Sequence, residues 1–240
     1  MPQLTQFTSV TSKSGIKVEQ KISAFWLMSD AALNGEKVTV ELRTKDGEFE
    51  TLIPNIAIED LAEYAAEGEG YYIEEVATAI NSQKGRAKVE LCMDGGIELG
   101  SDQFLEISLS SLNASNTYTL NTDQESFDAS AVAKWEKDSL NGDQGERNVS
   151  DKSTLILPVT NFTRVDLFYE DSEPVTYDMD DLINKALAND DIVKIEVDTG
   201  ADVLVRGYDR NFHVDLLGVD RIILYSGTTG YSFMYVTLLS

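Results

Sequence analysis

Few residues in this chain of 240 are of a type that does covalent chemistry, and they lie apart in the sequence. The sharpest local string is Asp198-Thr199-Gly200-Ala201-Asp202. Two carboxylates held side by side can share a proton and activate water. His213 is the only histidine, so any Ser-His-Asp arrangement would have to use it. No Gly-x-Ser-x-Gly elbow exists to present a serine to it. Its neighbours Phe212 and Val214 put it on the opposite face of a strand, where it is expected at a surface or interface. Cys92 is the only cysteine, which excludes an intrachain disulfide, and it is expected as a small buried residue in a strand. One histidine and one cysteine leave no set of zinc ligands. The acids could hold calcium through oxygen ligands. No twelve-residue EF-hand loop is present, and acid-rich turns such as Glu170-Asp171-Ser172-Glu173 and Asn189-Asp190-Asp191 are usually just solvated. Calcium is thus the one candidate ion, no cofactor is required, and metal ligands stay unassigned. Gly227-Thr228-Thr229-Gly230 falls between strands and not before a helix, so it is not a phosphate loop.

The Asp198 string resembles the active-site motif of retroviral-type aspartic proteases, and Leu216-Leu217-Gly218 resembles the apolar-apolar-Gly that closes that fold. Spacing argues against the likeness. Only 20 residues (218 − 198 = 20) separate the two strings, with no room for a flap hairpin and its strands. The turn at Met93-Asp94-Gly95-Gly96 is read as the counterpart of the Asp198 string elsewhere in the chain. The plainer reading is a hairpin turn with Gly200 at positive φ. No catalytic residue is assigned and no enzyme is expected; a protease using Asp198 stands as an alternative.

The elements that position these residues occur twice. Val40-Glu41-Leu42 followed by Asp46 and Glu48 recurs as Val165-Asp166-Leu167 followed by Asp171 and Glu173, an offset of 125 (165 − 40 = 125). Ile58-Glu59-Asp60-Leu61 recurs as Met179-Asp180-Asp181-Leu182, an offset of 121 (182 − 61 = 121). Gly100, Asp102, Leu105, Ile107, Leu109, Leu112 and Tyr118 are matched with Gly207, Asp209, Phe212, Val214, Leu216, Val219 and Tyr225, an offset of 107 (225 − 118 = 107). Alternation marks strands at Lys37 to Thr44, Phe104 to Leu109, Thr163 to Tyr169 and Phe212 to Leu216, among others. Helical spacing and early acids mark helices at Ile58 to Glu67, Tyr72 to Ile80 and Met179 to Leu187. The expected organisation is an unstructured N-terminal arm at 1–18, a first domain at 19–122, a polar linker at 123–151 and a second domain at 152–240. An element near 129–135 in that linker is left open between strand and helix. Many short strands with turn signals and one or two short helices in a crossover predict a mainly β chain of two tandem jelly-roll or β-sandwich domains.

Charge narrows the partners. Nineteen basic residues against 42 acidic ones give −23. Nucleic-acid binding needs clustered Lys and Arg to release counterions, and none are clustered. Such a field keeps copies soluble and apart unless salt or divalent ions intervene. No run of about 18 apolar residues is present to span a bilayer. The N-terminal stretch lacks the apolar core of a signal peptide, which points to folding in a cytoplasm.

Read end to end, the second copy is similar to half of a double jelly-roll major capsid protein of tailless phages with an internal membrane, of the corticovirus type. The residues that carry the likeness are Leu157-Pro158, Val165-Asp166-Leu167, Thr176-Tyr177 before Asp181-Leu182, Arg221-Ile222-Ile223-Leu224, Gly227 to Gly230 and the terminal strand Tyr235 to Leu238. A weaker version runs from Val38 to Leu61. The resemblance implies a structural virion protein, not an enzyme, made in the host cytoplasm. It implies homotrimers of six barrels that tile an icosahedral shell, with other virion proteins and an internal membrane at the inner face. Lys13, Lys17 and Lys21 are the candidates for that face. Neither nucleic acid nor a small-molecule substrate is implied. The remaining alternative is a tandem β-sandwich binding module of a tail or adhesin.

Overall fold

The alternation at Lys37 to Thr44 does become a strand, with Val38 and Val40 buried and Lys37, Thr39 and Glu41 only partly so. The same rule builds most of the chain. The computed structural model describes residues 3–65, 85–124, 126–188, 192–198, 201–206 and 210–239. By contacts it divides into two units, Met1–Trp135 with Leu238–Ser240, and Glu136–Thr237.

In chain order the first unit holds β1 (Gln3–Thr8), β2 (Lys13–Val18), β3 (Ile22–Ser29), β4 (Lys37–Thr44), β5 (Phe49–Ala57), α1 (Ile58–Ala65), β6 (Gly85–Glu90), β7 (Cys92–Met93), β8 (Gln103–Ser110) and β9 (Thr117–Gln124). Strand β10 (Ala131–Ser139) follows, and its Ala131 and Val132 pair with Met93 and Cys92. The second unit continues with β11 (Gln144–Asn148), β12 (Thr154–Pro158), β13 (Phe162–Tyr169), β14 (Val175–Asp178), α2 (Met179–Ala188), β15 (Ile192–Asp198), β16 (Ala201–Arg206), β17 (Asn211–Asp215), β18 (Val219–Ser226) and β19 (Ser232–Leu239).

One sheet of the first unit reads β1-β9-β3-β6 and the other β2-β8-β4-β5. Set β7 aside and letter the strands B to I in chain order. These sheets are then B-I-D-G and C-H-E-F, the strand order of a jelly roll. In the second unit, with β10 as B and the β15–β16 hairpin as an insertion, β10-β19-β12-β17 and β11-β18-β13-β14 give the same two orders. Each helix sits in the F-to-G crossover. The chain is mainly β, in two jelly rolls of one topology.

The E and H strands fix which side chains go inside. Val40 lies opposite Ile107 and Leu42 opposite Leu105. Val165 lies opposite Leu224 and Leu167 opposite Ile222. In the second unit these four join Phe212, Val214, Phe233 and Tyr235 in one buried apolar cluster. Each helix docks with a buried leucine, Leu61 or Leu182. Helix α1 starts with Glu59 and Asp60 in its first turn, where the helix dipole favours acids. Helix α2 is capped reciprocally: Asp181 N–H donates to Asp178 at 2.9 Å, and Asp178 N–H donates to Asp181 at 3.2 Å.

Two of the three repeat matches fall on equivalent elements, β4 with β13 and α1 with α2. The third does not. The offset of 107 lays β8, strand H, on β17, strand G, and Tyr118 of strand I on Tyr225 of strand H. The structural offset between the H strands is 117 (224 − 107 = 117). A period-two pattern is the same in every half-buried strand, so it matches the wrong neighbour as readily as the right one.

Other expectations also change. Residues 1–18 contain β1, paired with β9, and β2, paired with β8. Phe7, Ile16 and Val18 are the buried anchors that the Ser, Thr and Lys around them hid. The stretch 123–151 contains β10 and β11, which are strands B and C of the second jelly roll. The element near 129–135 is therefore a strand. Strand β11, Gln-Gly-Glu-Arg-Asn, has no apolar side chain to signal it and is recruited by pairing with β18. The expected helix at Tyr72 to Ile80 lies outside the described residues.

Gly95 has φ +136°, and a Cβ there would lie 2.5 Å from the Asp128 carbonyl oxygen. Gly95→Ala is expected to lower stability by about 1–3 kcal/mol, the usual strain of such a backbone. Gly142→Ala, where the nearest atom would be 3.9 Å away, should stay within about 0.5 kcal/mol. Urea midpoints of the two variants check this; equal midpoints would show that the close approach at Asp128 relaxes freely.

Candidate functional site

Jelly-roll topology brings the B–C, D–E, F–G and H–I connections to one end of each barrel. In the first unit that end is tied by buried polar groups. Leu112 N–H donates to Thr11 O at 3.0 Å, which joins H–I to B–C. Thr117 N–H donates to Asp30 Oδ1 at 2.9 Å, which joins H–I to D–E. Glu36, 3% exposed, accepts from Asn34 N–H at 2.5 Å and from the Tyr118 hydroxyl at 2.7 Å. The Tyr118 oxygen in turn accepts from Asn113 N–H at 3.0 Å and from Asn116 Nδ2 at 3.4 Å. Glu59, 4% exposed, accepts from Gly35 N–H at 2.5 Å, while Ile58 N–H donates to Glu36 O at 2.8 Å. Gly35 is at φ +84°, which a tight turn between two buried carboxylates requires. Burial, and then the Glu36 hydrogen bond, push the Tyr118 hydroxyl up to about 12.

These carboxylates accept from loop backbone N–H groups and from the Tyr118 hydroxyl. The arrangement therefore clamps four connections and fixes the shape of one barrel end. The second unit repeats the device in simpler form. Tyr231, next to the start of strand I, donates at 2.7 Å to the carbonyl oxygen of Pro158, the last residue of strand D, and burial pushes its hydroxyl well above the usual range. Tyr231, and not Tyr225, is thus the counterpart of Tyr118. Sequence reading passed over Glu36 altogether and took Glu59 for a helix-start acid. The only signal was a glutamate placed between Gly35 and an alternating strand.

The residues singled out from the sequence sit on separate elements. Asp198 ends β15 and pairs in register with Ala201, which opens β16, so a hairpin joins them. Thr199 and Gly200, and the Asp198 side chain, lie outside the described residues. The Met93 to Gly96 turn follows strand G whereas the Asp198 hairpin precedes it, so they are not counterparts. Leu216 to Gly218 is a tight turn between β17 and β18, with Val219 N–H donating to Leu216 O at 2.9 Å and Gly218 at φ +77°. His213 is not at a surface: it is 7% exposed, on β17 opposite Ile156, which is itself buried. That strand is covered on both faces, and alternation alone reports only which face a residue takes. Cys92 is buried as expected, its thiol 3.1 Å from Gly95 O. Among the described residues no group of three or more His, Cys, Asp or Glu could hold a metal ion. The turn at Glu170 to Glu173 is exposed, and Asn189 to Asp191 lie outside the described residues. Lys17 lies over the Phe104 ring at 4.5 Å, and Lys21 pairs with Asp128. No helix among the described residues is long and apolar enough to cross a membrane. Among the described residues the exposed large apolar side chains include Ile183 on α2 and Leu217, the latter 84% exposed.

No protein-family model matches the sequence, and no curated protein matches it significantly. Among solved structures the chain is similar to the major capsid protein P2 from Bacteriophage PM2. The TM-score is 0.53 at 11% identity, over 99% of this chain and 95% of that one. It also aligns with the PBSX exported protein XepA at a TM-score of 0.26 and 10% identity, over 100% of this chain and 86% of that one, a score too low to carry an argument. At 11% identity the first likeness is one of fold.

The loop clamp has a pH signature. A tyrosine whose folded value is raised contributes stability that is complete below its unfolded value near 10 and is lost as pH climbs towards about 12. Tyr118→Phe leaves Glu36 short of a donor and is expected to lower stability at neutral pH by about 1–3 kcal/mol. It should also flatten the alkaline loss between pH 10 and 12. Melting curves across that range check both parts; an unchanged alkaline slope would show that Tyr118 is not the titrating group.

Proposed function

We propose that this chain is a major capsid protein, a structural virion protein whose trimers form pseudo-hexagonal tiles of an icosahedral shell around an internal membrane. The observation that carries the reading is the repetition of one jelly-roll strand order in two successive units of a single chain. The likeness in fold to a phage major capsid protein, over nearly the whole of both chains, supports it.

The mechanism is geometric. Two barrels in one chain make a pseudo-dimer, and three chains about a threefold axis offer six similar barrels with a near-hexagonal outline. Such a tile needs rigid faces and no catalysis. The clamp around Glu36 and Tyr118 supplies rigidity at one barrel end. Partners on this reading are other copies of the chain, other virion proteins, and a membrane at the inner face. The protein is made in the host cytoplasm and resides in the virion. Calcium at paired acids is a candidate bridge between copies.

A sizing run with light scattering tests the oligomer: a trimer supports the tile, a dimer would favour the aspartic protease, and a monomer the tandem binding module. Asp198→Asn is expected to leave the oligomer unchanged and to shift stability by at most about 1 kcal/mol. Peptide cleavage by the wild type, lost in that variant, would overturn the structural role. Assembly beyond the trimer should weaken as salt falls. The Debye length grows from about 8 Å at physiological strength to about 30 Å at 0.01 M, and copies of charge −23 then repel over longer distances. Dialysis of assembled particles to low salt, with and without a chelator, reads this out. Particles that persist through both would remove the electrostatic part of the reading.

A further inference from the structure

The chain contains the sequence Leu-Asn-Gly twice, each time followed by an acid: Leu33-Asn34-Gly35-Glu36 and Leu140-Asn141-Gly142-Asp143. Asparagine before glycine is the pair most open to reaction with itself. Glycine has no side chain to keep its backbone nitrogen away from the asparagine Cγ. Local sequence therefore gives both pairs the same chemistry, and the fold separates them.

Asn34 and Gly35 lie in the D–E connection of the first unit, inside the carboxylate clamp. Gly35 N–H donates to Glu59 Oε1 at 2.5 Å, and Asn34 N–H donates to Glu36 Oε2 at 2.5 Å. The Gly35 nitrogen can attack only after losing its proton. A hydrogen bond to a buried carboxylate holds that proton in place, and the adjacent negative charge opposes the amide anion that its loss would leave. Gly35 is also held at φ +84°.

Asn141 and Gly142 lie in the B–C connection of the second unit, between β10 and β11. Backbone hydrogen bonds hold the residues on either side of them. Leu140 N–H donates to Tyr231 O at 2.9 Å, and Ser226 N–H donates to Asp143 O at 2.8 Å. Among the described residues none accepts from Gly142 N–H. Asn141 is exposed, and a Cβ on Gly142 would lie 3.9 Å from the Gln144 carbonyl oxygen, its nearest contact. Water reaches this nitrogen, and the turn has room to bring it to the asparagine side chain.

We propose that Asn141 is a deamidation site of the folded protein and that Asn34, in the same local sequence, is protected. The Gly142 nitrogen forms a bond to Asn141 Cγ as the Cγ–Nδ2 bond breaks, and Nδ2 leaves as ammonia with the proton from Gly142 N–H. Water then opens the succinimide at one of its two carbonyl carbons and leaves aspartate or isoaspartate. Each event adds one negative charge, beside Asp143, to a chain of −23. The isoaspartate product also lengthens the main chain by one methylene between Leu140 and Asp143. The modified turn is tied through Leu140 to Tyr231, whose hydroxyl holds the end of strand D.

Incubation of the full chain in mildly alkaline buffer made with oxygen-18 water tests this, because each opened succinimide takes up one label. Digestion and mass spectrometry follow the peptides that carry Asn34 and Asn141, in folded protein and in protein unfolded by urea. In the folded chain Asn141 is expected to be labelled at least tenfold faster than Asn34, and in urea the two rates should converge. Gly142→Ala should slow labelling at Asn141 and leave Asn34 unchanged. A folded-state ratio below tenfold, with both sites labelled or neither, overturns the proposal. So does a ratio that stays the same in urea, since flanking sequence and not the fold would then set the rates. Labelling of Asn141 that Gly142→Ala does not slow overturns the succinimide route.

Discussion

The register between the E and H strands is the constraint on which each unit depends. Val40 faces Ile107 and Leu42 faces Leu105; Val165 faces Leu224 and Leu167 faces Ile222. A slip of one residue would turn all eight side chains outward and bring Thr39, Glu41, Arg164 and Asp166 into the core. Burying unpaired charge of that kind is far more costly than any gain in strand pairing. The inner face is therefore held to apolar residues in both units, while the outer face is under no such demand. That freedom is what lets two copies of one topology carry different surfaces.

Period and turn chemistry were legible in the chain, and partnership between strands was not. The alternating strands β4, β8, β13 and β17 and the helices α1 and α2 stood where their patterns put them, as did the hairpin at Asp198. The β1 and β2 strands read as an arm because their few apolar residues are diluted by Ser, Thr and Lys. The polar strand β11 was taken for linker because its backbone, and not its side chains, holds it to β18. Both errors have one physical source. Hydrogen bonding along a sheet can recruit a segment with little burial of its own, and no local window records the donor strand.

The clamp at Glu36 and Glu59 was illegible for a different reason. An acid in a strongly acidic chain carries no information as a residue type. What distinguishes Glu36 is that Asn34 N–H, the Tyr118 hydroxyl and the neighbouring loop converge on it, and those groups lie as far as 82 positions away in the chain. Burial of a carboxylate is tolerable only when such donors are supplied together. The sequence of either partner alone reads as an ordinary loop glutamate and an ordinary strand tyrosine. His213 shows the converse case: alternation placed it on the correct face, but coverage of that face is a tertiary fact.

Net charge and the outer faces belong to one argument. Copies of a chain that carries −23 repel one another at every distance within the Debye length. Screening alone removes repulsion without giving attraction or register. Attraction and register have to come from specific contacts between copies. In the second unit the stacked pairs Arg164–Tyr225 and Phe168–Arg221 occupy the positions that the first unit fills with Thr39, Ser108, Arg43 and Phe104, with Arg43 tied to Glu41 at 2.6 Å. The differences between the outer faces leave the strand order of both units intact. An acidic surface disfavours every docking geometry that brings like charges together, so it selects against contacts as well as for solubility.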